Sequence, residues 1–170
     1  MAEILDGKAL AKKVRIGLKQ EVDVLKEKGV NPKLPVLMVG HHSSSEIYVR
    51  NKSKACDKVG VEFEEFLLDE NTQMEELLDL IEKLNKDDNV DGILLQSPIP
   101  KHLDIDKAYR TISPEKDVDG FNPVNVGKLV LGQDCFISCT PYGVVKILEE
   151  YNIETEGKNA VIIGRSNIVG

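Results

Sequence analysis

The sequence predicts an α/β fold in three layers, α/β/α, with a mostly parallel sheet, and three observations carry that expectation. Segments of helical period and short apolar runs alternate from Lys8 to Gln96, the order that βαβ units produce. Two of those runs, Leu34–Val39 and Val90–Gln96, are nearly unbroken, as in strands covered on both faces. The chain then ends on one more strand-like run, residues 159–163, followed by a glycine-bounded turn.

Each element has its own local reason. Leu10, Val14, Leu18, Val22 and Leu25 recur at helical spacing and predict a helix over 8–28, stopped by Gly29 and Asn31-Pro32, with one face covering something. Leu34–Val39 is the first strand, closed by Gly40. Ser43 with Glu46 has capping-box spacing, so a helix is expected from about Ser45 to the stop at Gly60. Val61–Leu68 alternates and carries acids, which suggests a more exposed strand. Thr72 with Glu75 gives a second capping box, ahead of a helix marked by Met74, Leu77, Leu78, Ile81 and Leu84. Asp87, Asp88 and Asn89 form the turn into the third strand, Val90–Gln96. Ile105–Ile112 reads as a short helix, Asn122–Leu131 as one or two helical turns, and Thr140-Pro141 as the start of a longer helix through Val144, Ile147 and Leu148.

Composition narrows the function classes. The 170 residues can bury one good core, and 41% hydrophobic with 30% charged residues fits a soluble globular protein. A formal charge of -7 argues against nucleic-acid and anionic-membrane partners. No run approaches a bilayer span and no signal-peptide core is present, so a cytoplasmic location is expected. Cys56, Cys135 and Cys139 lack metal or disulfide spacing, and His41, His42 and His102 are poor ligands for a metal, so none is expected.

The candidate site begins with a lysine where the helix pattern asks for an apolar residue. On the 43–59 helix, Tyr48, Ala55, Cys56 and Val59 fall on one side and Lys52 lands among them, four residues after Tyr48. Either its ammonium snorkels to water, or Lys52 lines a cleft where desolvation makes it a proton carrier near neutral pH. In parallel sheets ligands collect beyond the carboxyl ends of the strands, which brings Gly40–Ser45, Tyr48, Lys52 and Gln96 within reach of one another. The P-E-K-D-V-D-G loop at 114–120 is either turn chemistry or a source of site carboxylates. The final G-R-S-N-I-V-G sits where nucleotide-binding folds place phosphates, although it lacks G-x-G-x-x-G. One strand and half a loop cannot complete a Rossmann domain, so the sequence is expected to be the N-terminal part of a larger enzyme.

Several ordered motifs together resemble the bifunctional methylenetetrahydrofolate dehydrogenase/methenyltetrahydrofolate cyclohydrolase family. They are I-L-D-G-K at 4–8, S-x-x-Y-V-x-x-K at 45–52, Q-S-P-I-P at 96–100, P-E-K-D-V-D-G-F-N-P-x-N-x-G-K-L from Pro114, C-T-P-x-G from Cys139, and V-I-I-G-R-S-N-I-V-G at the end. The resemblance implies a catalytic, folate-binding domain over residues 1–140, and over 141–170 a linking helix with the first strand of a truncated NAD(P)-binding Rossmann domain. It implies Lys52 as catalytic lysine, Gln96 as its hydrogen-bonding partner and Asp119 as the group that holds the pterin. Tyr48 would pack on the folate, with Ser45, Pro98 and Gly120 also at the substrate. Gly164, Arg165 and Ser166 would meet the phosphates of NADP, with NAD as the other possibility. The implied partners are tetrahydrofolate one-carbon derivatives, and the implied whole enzyme is a homodimer. The family usually reads Q-L-P where this chain has Gln96-Ser97-Pro98, a change expected to alter packing and not chemistry. A two-domain α/β dehydrogenase of amino or hydroxy acids and a non-catalytic folate-binding module are the competing readings.

Overall fold

A computed structural model describes residues 4–166, and the last four residues of the terminal glycine-bounded turn lie outside that range. The described elements run α1 (Gly7–Glu27), β1 (Lys33–Val39), α2 (Ser43–Val59), β2 (Glu62–Leu68), α3 (Met74–Asn85), β3 (Leu94–Leu95), α4 (Ile105–Thr111), α5 (Pro123–Val130) and α6 (Cys139–Glu150). The three strands form a parallel sheet in the order β2-β1-β3. β1 is central because its residues are apolar on both sides: Val36, Leu37, Met38 and Val39 are all buried. β2 is an edge strand, and its exposed acids fit that place.

Alternation along β1 divides the core. Leu37 and Val39 face α3 and α4 and join Leu77, Ile81, Leu84, Ile93, Leu95, Ala108 and Ile112 in one large cluster. Val36 and Met38 point the other way, where they meet Val49 of α2 and Leu94 of β3 in a smaller cluster. α1 lies outside α2, so the sheet is covered on both faces.

Several local expectations are corrected. Residues 159–163 form no strand: Val161, Ile162 and Ile163 are largely exposed and have no strand to pair with among the described residues. β3 is only two residues long, and just before it Ile93 bridges Asp117 on the side away from β1, with Ile93 N donating to Lys116 O at 2.7 Å. Neither expected capping box forms as read. α2 begins at Ser43 with His42 as an unbonded cap, because Glu46 instead meets His41 Nδ1 at 3.0 Å. At α3 the pairing slips by one residue, with Gln73 N donating to Glu76 at 3.0 Å. α6 starts at Cys139, one residue before Thr140. Only Val22 of α1 is buried, so its apolar stripe covers less than its periodicity suggests.

The candidate active site

Gly40 ends β1 at φ 73°, which suits glycine, and delivers the chain to α2 at the carboxyl end of the sheet. α2 then runs back along the sheet, and its buried stripe is Ser45, Val49, Cys56 and Val59 with Lys52 between them. The stripe is turned slightly from the sequence reading: Val49 replaces Tyr48, which is 62% exposed. Lys52 is half-buried, and its Nζ donates to Gln96 Oε1 at 2.9 Å. The Gln96 amide is fixed in that orientation because its Nε2 donates to Ser97 O at 2.8 Å.

The acidic loop divides its two aspartates between different tasks. Asp117 is 2% exposed, and its carboxylate accepts from Phe121 N, Asn122 N and Asn125 Nδ2 at 3.2, 2.8 and 2.9 Å. It is a scaffold for the loop. Asn122 caps α5 through Val124 N at 2.8 Å and also donates to Ile112 O at 2.8 Å. The sequence reading missed Asn122 and Asn125 as structural groups, although Asn-Pro at a helix start was a usable signal. Asp119 makes no side-chain hydrogen bond among the described residues and faces Lys52 and the Cys139 thiol.

Gly120 sits between these aspartates and the 136–138 segment at φ 68°, where a Cβ would lie 2.7 Å from Phe136 O and 3.0 Å from Ser138 N. That close approach carries the start of α6 to the site. Lys52, Gln96, Ser97 and Asp119 line one recess of about 170 Å³ together with Phe121, Ser138, Cys139 and Thr140. Sequence reasoning left the last four unassigned, although Phe121, Cys139 and Thr140 lay in motifs it had singled out.

Burial sets the electrostatics. Desolvation lowers the Lys52 pKa below the ordinary lysine value, with Asp119 and then Cys139 pulling the other way. Desolvation raises Asp119, against the attraction of Lys52 and with help from Asp117. Burial also pushes the Cys139 thiol up, reinforced by Asp119. An amine made easier to deprotonate thus faces a carboxyl made easier to protonate, so both can exchange protons closer to neutrality.

The other sequence candidates sit elsewhere. Ser45 is 1% exposed, does not line the recess, and its hydroxyl has no hydrogen-bond partner among the described residues. Pro98 is exposed beside the recess, and Gly120 shapes the loop. Gly164, Arg165 and Ser166 are exposed. Ser166 does border a larger cavity of about 980 Å³ that shares Ser97 and Phe121 with the recess. Tyr109 and Phe121 meet edge-on in that wall, with centroids 5.0 Å apart. Burial pushes the Tyr109 phenol up to about 12, opposed by its hydrogen bond to Ser97. The serine that stands where the family has leucine therefore makes a polar contact to Tyr109. Among the described residues, no group of His, Cys, Asp and Glu is placed to hold a metal ion.

A parallel α/β sheet gathers an amine, an amide and an acid in one recess at its carboxyl end, where such sheets place small-molecule sites. The chain belongs to the tetrahydrofolate dehydrogenase/cyclohydrolase family, whose catalytic-domain model matches residues 5–119 and whose NAD(P)-binding-domain model matches residues 138–170. It is 53% identical to the bifunctional protein FolD of Ruminiclostridium cellulolyticum across 99% of this chain and 60% of that protein. It is 51% identical to FolD of Staphylococcus aureus, of which it covers 59%. The crystal structure of the bifunctional enzyme FolD, methylenetetrahydrofolate dehydrogenase/cyclohydrolase, from Campylobacter jejuni superposes with a TM-score of 0.98 at 49% identity, over 99% of this chain and 60% of that one. The methylenetetrahydrofolate dehydrogenase-cyclohydrolase of Trypanosoma brucei, solved with NADP and an inhibitor, gives a TM-score of 0.94 at 35% identity, over 99% and 58%. The chain spans about 60% of the length of these relatives.

Proposed function

We propose that the protein works in one-carbon folate metabolism, in the NADP-dependent oxidation of 5,10-methylenetetrahydrofolate to 5,10-methenyltetrahydrofolate and its hydrolysis to 10-formyltetrahydrofolate. The observation that carries this reading is the Lys52–Gln96 hydrogen bond and the Asp119 carboxyl lining one recess.

Lys52 is the general acid/base of the hydrolysis. Water attacks the methenyl carbon and gives up a proton, leaving a carbinolamine. The bond from that carbon to N5 then breaks, N5 takes a proton, and the carbinol hydroxyl loses one as the formyl carbonyl forms on N10. The sum is one water consumed and one proton released. Lys52 moves these protons, and Gln96 orients the amine without pinning it charged, as a carboxylate would. Asp119 accepts the paired ring N–H and amino donors of the pterin. Tyr48, one turn from Lys52 and exposed, offers a packing surface for the flat substrate.

A bound nicotinamide dinucleotide would supply hydride acceptance from the methylene carbon. Gly164, Arg165 and Ser166 are the residues to hold its phosphates, since a guanidinium and a hydroxyl stand exposed beside a glycine and Ser166 borders the cavity that joins the recess. Residues 1–140 are read as the catalytic and folate-binding domain, and 141–170 as the linking helix and start of the dinucleotide-binding domain. The described residues hold no helix long and apolar enough to cross a membrane, which fits the cytoplasmic location proposed here. A homodimer is proposed for the whole enzyme.

The test is to follow methenyltetrahydrofolate hydrolysis by absorbance, with tetrahydrofolate binding measured by calorimetry. Lys52→Met is expected to keep the fold and the heat of binding and to lose hydrolysis. A folded Lys52→Met protein that hydrolyses as fast as the original overturns the assignment.

A further inference from the structure

Gly92 stands two residues before β3, is buried, and lines neither the recess nor the larger cavity. Its φ lies outside the left-handed region, so backbone conformation is no reason for a glycine there. Space is the reason: a Cβ at 92 would overlap the Val118 Cγ1 methyl. Val118 packs with Leu34 and Phe63 against the cluster of Val36, Met38, Val49 and Leu94, and a β-branched side chain is too stiff at χ1 to swing aside cheaply.

Val118 and Asp119 are the two central residues of a turn closed by Gly120 N, which donates to Asp117 O at 3.1 Å. Both ends of that turn are tied down. At the first end Ile93 N donates to Lys116 O, and the Lys116 ammonium donates to Leu84 O, Asn85 O and Asp87 O at 3.1, 2.9 and 2.8 Å. Asp117 adds the three donors that its carboxylate accepts. At the other end Gly120 is wedged against Phe136 O and Ser138 N. The slack is in the two central residues, with Val118 packed on the sheet and Asp119 lining the recess. A group pressed against Val118 therefore tilts both.

We propose that Gly92 is a positioning residue for Asp119: by lacking a side chain it seats Val118 on the sheet, and so sets where the neighbouring carboxyl stands in the recess. This rests on the reading of Asp119 as the group that holds the pterin, and it extends the site to a residue that lines neither cavity. A paired acceptor is demanding of placement, since two parallel hydrogen bonds need the carboxylate in line with both donors. An aspartate reaches through a single methylene, so a tilt of its main chain passes directly to the carboxylate. Lys52 and Gln96 are held by α2 and by the β1–β3 ladder, so the proton-transfer groups keep their places when the turn tilts.

The test works the contact from both sides. Gly92→Ala is expected to weaken tetrahydrofolate binding in calorimetry about tenfold, the worth of one hydrogen bond to a charged group, while kcat for hydrolysis at saturating substrate stays within about threefold. Val118→Ala leaves the turn unsupported and is expected to weaken binding about threefold. The two together relieve the overlap and refill part of the gap, so the double variant is expected to bind more tightly than either single one. A folded Gly92→Ala protein that binds as the original overturns the proposal. Where Gly92→Ala does not fold, unchanged affinity in Val118→Ala, or a double variant no tighter than Val118→Ala, overturns it. The Asp119 titration, read by NMR of its carboxyl carbon without folate, is the second measurement. Burial raises it, against Lys52 and with Asp117, and Cys139 also faces it. Gly92→Ala is expected to return it toward the ordinary carboxylate value, and a titration that does not move overturns the proposal. Asp119→Asn tests the reading beneath: unchanged tetrahydrofolate affinity there removes the pterin assignment and leaves the effect of Gly92→Ala on the titration standing.

Discussion

The two faces of the sheet are built differently. Toward α3 and α4, eleven buried apolar residues close into one cluster with Phe66, Leu68, Met74 and Tyr109 packed against it. Toward α2 the buried cluster has four members, and along the same stripe it gives way to Ser45, Lys52 and Gln96. The first face can hold the fold without contributing a charge to the site. The second leaves room for an amine whose proton is easily moved, at the expense of apolar burial. The acidic loop repeats the contrast over two residues, with Asp117 saturated by hydrogen bonds and Asp119 held open to the recess.

This division of labour separates substitutions on the two sides. Lys52→Met is expected to reduce hydrolysis by about a hundred- to ten-thousand-fold, the usual worth of a positioned acid/base, while the urea midpoint stays or rises. Ile81→Ala on the other face is expected to cost about 3 kcal/mol of stability by leaving a cavity, with the Lys52 titration unmoved. Asp117→Ala strands two main-chain donors and one amide and is expected to cost about 2–3 kcal/mol in urea unfolding.

Asp119→Asn is the smallest in stability, within about 0.5 kcal/mol near neutrality, and the most informative about charge. It removes the attraction that holds Lys52 up, so the lysine titration should move lower still. The pH slopes have opposite signs. Lys52 is depressed in the fold, so the unfolded chain binds more protons just below 10.5 and stability rises with pH there. Asp119 is raised, so the folded chain binds more protons just above 3.8 and stability falls as pH rises through that window. Urea unfolding across pH should show the acidic window flatten in Asp119→Asn. A slope unchanged there would mean that Asp119 is as well solvated as an ordinary carboxylate.

Much of the fold was legible because period and punctuation are local. The alternation of helix and strand, the edge character of β2 and the short α4 and α5 followed from apolar spacing with Gly, Pro and Asn stops. The 159–163 run was not legible as coil, because its apolar β-branched residues satisfy strand propensity and a strand also requires a partner in space. The caps slipped because Glu46 had a histidine to pair with and Glu76 a better-placed donor.

By itself the sequence determined the layered parallel architecture and marked Lys52 as the residue out of place, since a charge on an apolar stripe is visible in one dimension. Only the tertiary structure decided which neighbours it meets. Gln96, Asp119 and Cys139 come from separate segments, brought together by the parallel register, by the Asp117 hydrogen bonds and by the absence of a side chain at Gly120. Those are contacts across many residues of chain, and burial, which sets the protonation of the amine and the acid, exists only once they are made.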